Sequence, residues 1–246
     1  MKTMIIKILI VSLICFSLFG ENNIDKTLRT ADQMIRVGDY EKAEDQLRVA
    51  LRNNPENGEI LWRLGKALNR KAMRLSGMKR HDTFEEASQI LAKAIKYDRK
   101  SPEPHVEMAR TLGYMGLFKP DWDNYNLAGR ISEELDYAIK QDAEYADAYF
   151  VYGLWNRFVC KRSLLVRMPY DLGEACDELA LENLQKAVEY DDENAEYMLE
   201  LGKQYLYMER FDEARDIFKK TTEFKSNLFT KRYIKQAEEQ LETMDK

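Results

Sequence analysis

One short string recurs along the chain, and its recurrence limits the fold more than any other feature. Ala50-Leu51-Arg52-Asn53-Asn54 returns as Ala94-Ile95-Lys96-Tyr97-Asp98, Ala138-Ile139-Lys140-Gln141-Asp142 and Ala187-Val188-Glu189-Tyr190-Asp191, with spacings of 44, 44 and 49 residues. Each string closes an amphipathic stretch and leads into a polar turn, such as Asn53-Asn54-Pro55-Glu56-Asn57. The stretch after the turn begins with an acid and carries a large residue followed by a small one: Leu64-Gly65, Met108-Ala109, Tyr152-Gly153 and Leu201-Gly202. Where two helices cross closely, only Gly or Ala lets the backbones approach, while large neighbours fill the flanking gaps. A single helix pair cannot bury both of its apolar faces, so successive pairs must stack. The expected fold is all-α, a right-handed superhelical solenoid of about five helix pairs.

Composition agrees. Charged residues make up 33% and hydrophobic residues 45%, with only 5 Pro and 11 Gly, which suits helices that each keep one face in water. A net charge of -5 argues against a general nucleic-acid binder, which needs a basic excess. Residues 1–20 differ from the rest. Lys2 and Lys7 precede an uncharged run from Ile8 to Phe19, and Gly20 follows. This is the layout of a secretory signal peptide, with an uncleaved membrane anchor as the open alternative. The expected address is therefore exported, periplasmic or otherwise extracytoplasmic. In an oxidising compartment Cys160 and Cys176 could close a disulfide, or they could be small buried residues on helices.

Two units have a compact junction: Gly38-Asp39-Tyr40-Glu41-Lys42-Ala43 with Leu47, Ala50 and Pro55, and Arg210-Phe211-Asp212-Glu213-Ala214 with Phe218. These resemble the junction between the A and B helices of the tetratricopeptide (TPR) repeat, and the resemblance spans residues 24–225. Residues 226–246 then supply a capping helix, expected from Asn227 to Met244. Three inner repeats exceed the 34-residue pattern by 10 to 15 residues between their helices, near 69–82, 116–129 and 160–175. The first excess is basic (Arg70, Lys71, Arg74, Lys79, Arg80). The second carries Phe118, Pro120, Trp122 and Tyr125, and the third Arg162, Arg167, Met168, Pro169 and Tyr170. These excursions are expected to mass on one edge of the solenoid.

Residues Glu59 to Ala67, Ala92-Lys93-Ala94-Ile95 and Leu184-Gln185-Lys186-Ala187 make the chain similar to the regulator of microtubule dynamics family and its bacterial relatives. The chain also resembles the exported TPR T-component associated with TRAP transporters. Both resemblances imply a scaffold or an accessory component.

In a TPR solenoid the A helices line the concave groove. The register places Trp62, Lys66 and Arg70 there from the second repeat, and Val106, Arg110 and Tyr114 from the third. Phe150, Leu154, Arg157 and Phe158 follow from the fourth, and Lys203 and Tyr207 from the fifth. Aromatics interleaved with cations suit a peptide bearing carboxylates, with Arg110 and Arg157 expected to pair with partner acids. The acids one turn earlier (Glu59, Glu103, Asp147, Glu196) suit helix N-termini. His81 and His105 stand without a metal-binding or nucleophile motif, so no catalytic residue, metal or cofactor is expected. The expected function is a non-enzymatic scaffold for a protein or peptide partner, with self-association and membrane attachment through the N-terminal segment left open. The rival is an accessory that holds a small molecule or lipid in an apolar pore built from Trp62, Phe150 and Phe158.

Overall fold

The computed structural model describes residues 24–117, 121–170 and 172–245, and for 121–125 the backbone alone. Residues 1–20, with their export reading, lie outside the described residues. Helix α1 covers 24–37. It is followed by α2 (Tyr40–Asn53), α3 (Gly58–Ala72), α4 (Gly77–Tyr97), α5 (Glu103–Gly116) and α6 (Asp121–Gln141). Then come α7 (Ala146–Cys160), α8 (Leu164–Arg167), α9 (Asp177–Tyr190), α10 (Ala195–Tyr207), α11 (Phe211–Thr222) and α12 (Lys231–Met244). Among the described residues there is no strand. Helices pack as consecutive pairs: α3 on α4, α5 on α6, α7 on α9, α10 on α11, with α12 covering the last pair.

The large-small pairs are the contact points. A Cβ on Gly65 would lie 2.5 Å from Leu91 Cγ, one on Gly153 2.6 Å from Leu184 Cγ, and one on Gly202 2.6 Å from Phe218 Cε1. α4, α9 and α11 therefore each seat a large side chain directly against A-helix backbone, and the core continues from repeat to repeat. Gly113, one turn after Ala109, is different: among the described residues its Cβ would meet only Ile131 Cδ1, at 3.9 Å. Gly153→Ala is thus expected to cost about 1–3 kcal/mol through overpacking. Gly113→Ala should be neutral or stabilise by about 0.5–1 kcal/mol through helix propensity. Thermal melts of the two single variants check this contrast.

The excess residues of the second and third repeats do not form long loops between helices. They extend the B helices: α4 and α6 each run 21 residues, against 14 for α2. Polar side chains that would have filled a loop continue the helix instead, because no Gly or Pro after Gly77 breaks α4. Two basic residues of the first excess are used internally. Arg74 donates to the Gly38 carbonyl at 2.8 Å and stacks on Tyr40, while Lys71 pairs with Glu44 at 2.7 Å. The aromatic side chains of the second excess, Phe118, Trp122 and Tyr125, lie outside the described residues, as does Pro120.

The third excess does form an excursion, α8 followed by a 3-10 turn at Met168–Tyr170. The Arg167 guanidinium donates to the carbonyls of Leu172 and Ala175, and a small cluster of Ala128, Val159, Leu172 and Ala175 seats the segment. Leu164, Leu165, Val166 and Met168 face solvent.

The cap begins later than its apolar pattern predicts. Asn227 accepts from the backbone N–H of Phe229 and Thr230 and holds a turn, so α12 starts at Lys231. That turn reaches the other end of the superhelix, where Arg36 of α1 lies 5.5 Å over the Phe229 ring. The inner face therefore curves round until its ends meet.

Candidate functional site

The A helices carry a ladder of buried polar groups across the inner face. Arg110 of α5 pairs with Asp147 of α7, and the Tyr197 hydroxyl of α10 donates to the same carboxylate at 2.8 Å. Arg157 of α7 pairs with Glu200 of α10 at 2.7 Å and donates through Nε to Gln204 at 2.8 Å. Lys203 takes the other Glu200 oxygen at 2.8 Å. Lys66 lies 4.0 Å from Glu107, whose second oxygen accepts from Asn69 at 3.1 Å. Burial would raise the Asp147 carboxyl, but Arg110, then Lys66, Tyr197 and Arg70, outweigh it and hold it below the ordinary range. Glu200 behaves alike, with Arg157 and Lys203 overcoming its burial.

This corrects the expectation for Arg110 and Arg157. They do not wait for a partner's acids, because acids one repeat further along already hold them. Asp147, at a helix start, is Arg110's counter-ion as well as a favourable N-terminal charge. Carboxylates and cations at matching heights on neighbouring A helices meet once the repeats stack, and no single helix shows this.

The predicted aromatics divide. Phe150 is 1% exposed and stacks on Tyr197 with centroids 4.5 Å apart, and Val106 is 0% exposed. Both are core residues and offer no face to a partner. Trp62 is also buried: its Nε1 donates to Glu59, and Arg63 and Lys66 cover its ring. Tyr207 is exposed, with Lys161 4.3 Å and Arg157 5.3 Å over its ring. Trp62, Phe150 and Phe158 therefore do not line a common pore.

Arg110, Tyr114, Leu154 and Phe158 do come together. They line an apolar pocket of about 200 Å³ between α5 and α7, floored by Leu127 and Ile131 of α6. Gly113 brings no side chain into this space, and Gly116 also lines it. Trp155 forms a further wall, pinned by its Nε1 donating to the Ala128 carbonyl at 2.9 Å. Gly113, Leu127, Ile131 and Trp155 lie outside the set that the register selects. The available signal is Gly113 of α5, one turn beyond the close-contact position held by Ala109.

Arg70 is the remaining predicted cation. Its Nη1 lies 3.3 Å from the Tyr114 hydroxyl, and among the described residues no carboxylate stands within ion-pair distance of it.

Among the described residues no three His, Cys, Asp or Glu side chains are grouped to hold a metal ion, and no helix is long and apolar enough to cross a membrane. His105 is buried, bonded to Glu134 at 2.6 Å and stacked on Tyr137. Cys160 and Cys176 are free thiols. Cys176 accepts from the Leu179 N–H at the start of α9, and Cys160 donates to Asp177 at 3.2 Å. Burial, then Asp177, pushes the Cys160 thiol up to about 12. In the Cys176→Ala variant, Cys160 is expected to react with iodoacetamide at pH 8 at least tenfold more slowly folded than unfolded in urea, because the thiolate is the nucleophile. Equal rates would show an unshifted thiol.

The model of the family described as Regulator of microtubule dynamics protein 1-3 matches residues 27–245, and the chain belongs to that family. No curated protein matches the chain. Among solved structures, the TPR protein TTC0263 of Thermus thermophilus is similar at 19% identity and a TM-score of 0.66, over 86% of this chain and 97% of that one. PilF of Pseudomonas aeruginosa is similar at 16% identity and a TM-score of 0.51, over 92% and 90%. These likenesses show the TPR solenoid fold.

Proposed function

We propose that this member of the regulator of microtubule dynamics family is a non-enzymatic scaffold that holds a segment of a partner protein against its inner face. The observation that carries the reading is the apolar pocket lined by Arg110, Tyr114, Leu154 and Phe158. Soluble domains close such gaps unless they are used, since each unfilled methyl-sized space costs about 1 kcal/mol. Here Gly113 leaves space, whereas Gly65, Gly153 and Gly202 are each met closely by a neighbour's side chain. The neighbouring cations Arg110 and Arg157 position the wall through their own acids instead of contacting a ligand.

Phe158 is 43% exposed at the pocket rim, so Phe158→Glu should leave folding intact and place a charge at the mouth. In-cell crosslinking and affinity capture are expected to lose a partner in this variant that the natural chain retains. Identical captures would sink the reading. A small apolar molecule found by mass spectrometry in the purified protein would favour the ligand-holding alternative.

The same proposal assigns residues 1–20 to export, on the strength of Lys2, Lys7 and the uncharged run Ile8 to Phe19. Alkaline phosphatase fused after residue 30 is expected to be active in bacterial cells, since its disulfides form only outside the cytoplasm. An inactive fusion would refute export, and an active one that stays with the membrane fraction would mark an anchor.

A further inference from the structure

We infer that the α5–α6–α7 pocket accepts one aromatic side chain of the partner segment, and that Arg70 pairs with a carboxylate one or two residues away on that segment. This inference rests on the scaffold reading and specifies its chemistry.

Size decides the first half. The pocket offers about 200 Å³, and a dry apolar cavity of about 150 Å³ already accepts benzene. One aromatic ring fits, whereas a folded helix or a pair of acyl chains does not. Chemistry agrees, because the lining is almost wholly apolar and the pinned Trp155 has already spent its only donor. Aromatic anchors also give the largest return at interfaces, combining much buried area with few rotatable bonds.

Charge decides the second half. Lys66, Arg110, Arg157 and Lys203 each have an acid of this chain within 4.0 Å, whereas Glu107 and Glu196 act on Arg70 only from beyond ion-pair distance and, among the described residues, its hydrogen-bond partner is the Tyr114 hydroxyl. A guanidinium is suited to bidentate capture of a carboxylate. Tyr114 links the two features: its ring lines the pocket and its hydroxyl touches Arg70. Arg70 therefore stands one tyrosine ring from the pocket wall. Consecutive Cα atoms are about 3.8 Å apart, so a residue next to the anchor, or one further on, spans that gap.

A random peptide library displayed on phage, panned against the full chain, tests this. Enriched peptides are expected to carry Phe, Tyr or Trp within two positions of Asp or Glu. Gly113→Trp fills the pocket from a position where a side chain meets little, and a synthetic enriched peptide should bind it at least tenfold more weakly. Phe158→Ala, at an exposed site, removes one wall and should weaken the same peptide several-fold. Arg70→Gln should abolish the preference for an acid while keeping that for the aromatic ring. Peptides without an aromatic residue, or unchanged affinity in both Gly113→Trp and Phe158→Ala, would overturn the anchor and leave the scaffold standing. An acid preference that survives Arg70→Gln would overturn the assignment of Arg70. Failure to enrich any peptide would overturn the scaffold reading itself.

Discussion

Phe150→Ala should destabilise the solenoid by about 3–5 kcal/mol, the cost of emptying a fully buried aromatic site. Phe150 lies at the junction of three repeats. Its ring stacks on Tyr197 of α10, the Arg110 guanidinium sits 5.6 Å from its centroid, and it belongs to the largest core cluster. The cavity would open between α5, α7 and α10, where neither neighbour can move without breaking the Arg110–Asp147 pair. Thermal melting by circular dichroism measures the loss, expected as a fall in Tm of several degrees for a chain of this length. A shift near zero would mean that Phe150 lies on the binding surface, as its register alone suggests. The variant is thus unsuitable as a probe of binding, because any lost partner would reflect lost structure.

Asp147→Ala should match it, at about 3–5 kcal/mol, because breaking a buried pair strands the remaining charge. Arg110 keeps only 9% of its side chain exposed, and its neighbour Glu107 is 3.8 Å away without a hydrogen bond between them. Removing Asp147 also leaves the Tyr197 hydroxyl without its acceptor. The pH dependence has a definite sign. Asp147 and Glu200 are held below their ordinary values of 3.8 and 4.5 in the fold. Their contribution is therefore complete above those values and disappears as pH falls through the lower folded ones. The natural chain should lose Tm steeply below about pH 4, and Asp147→Ala should lose less over the same interval. Parallel melting curves against pH for the two proteins would remove Asp147 as the cause.

Much of this architecture was legible from sequence. The alanine strings and the large-small pairs identify five helix pairs because both follow from local requirements: a small residue wherever a B helix must touch an A helix. Gly65, Gly153 and Gly202 occupy those positions in the structure. The lengths of α4 and α6 were less legible. Excess residues beyond a repeat look the same whether they form a loop or extend a helix, and only packing against α3 and α5 selects the helix.

The inner face was legible as a set of residues but not as a site. Register puts Arg110, Tyr114, Leu154 and Phe158 on A helices, and all four reach the pocket. The same register also selects Val106, Phe150 and Trp62, which the curvature of the stack turns into the core. Burial depends on how sharply one repeat rotates against the next, and that angle belongs to the assembled solenoid.

By itself, then, the sequence determined the repeat, the helix type and the faces that must be apolar, because these depend on residues a few positions apart. Tertiary structure alone decided that Arg110 and Arg157 are spent on Asp147 and Glu200, that Arg36 meets Phe229, and that Gly113 lines the pocket. The pairings among these join residues 37 to 193 positions apart. They are set by the superhelical path, to which every repeat contributes and which none encodes alone.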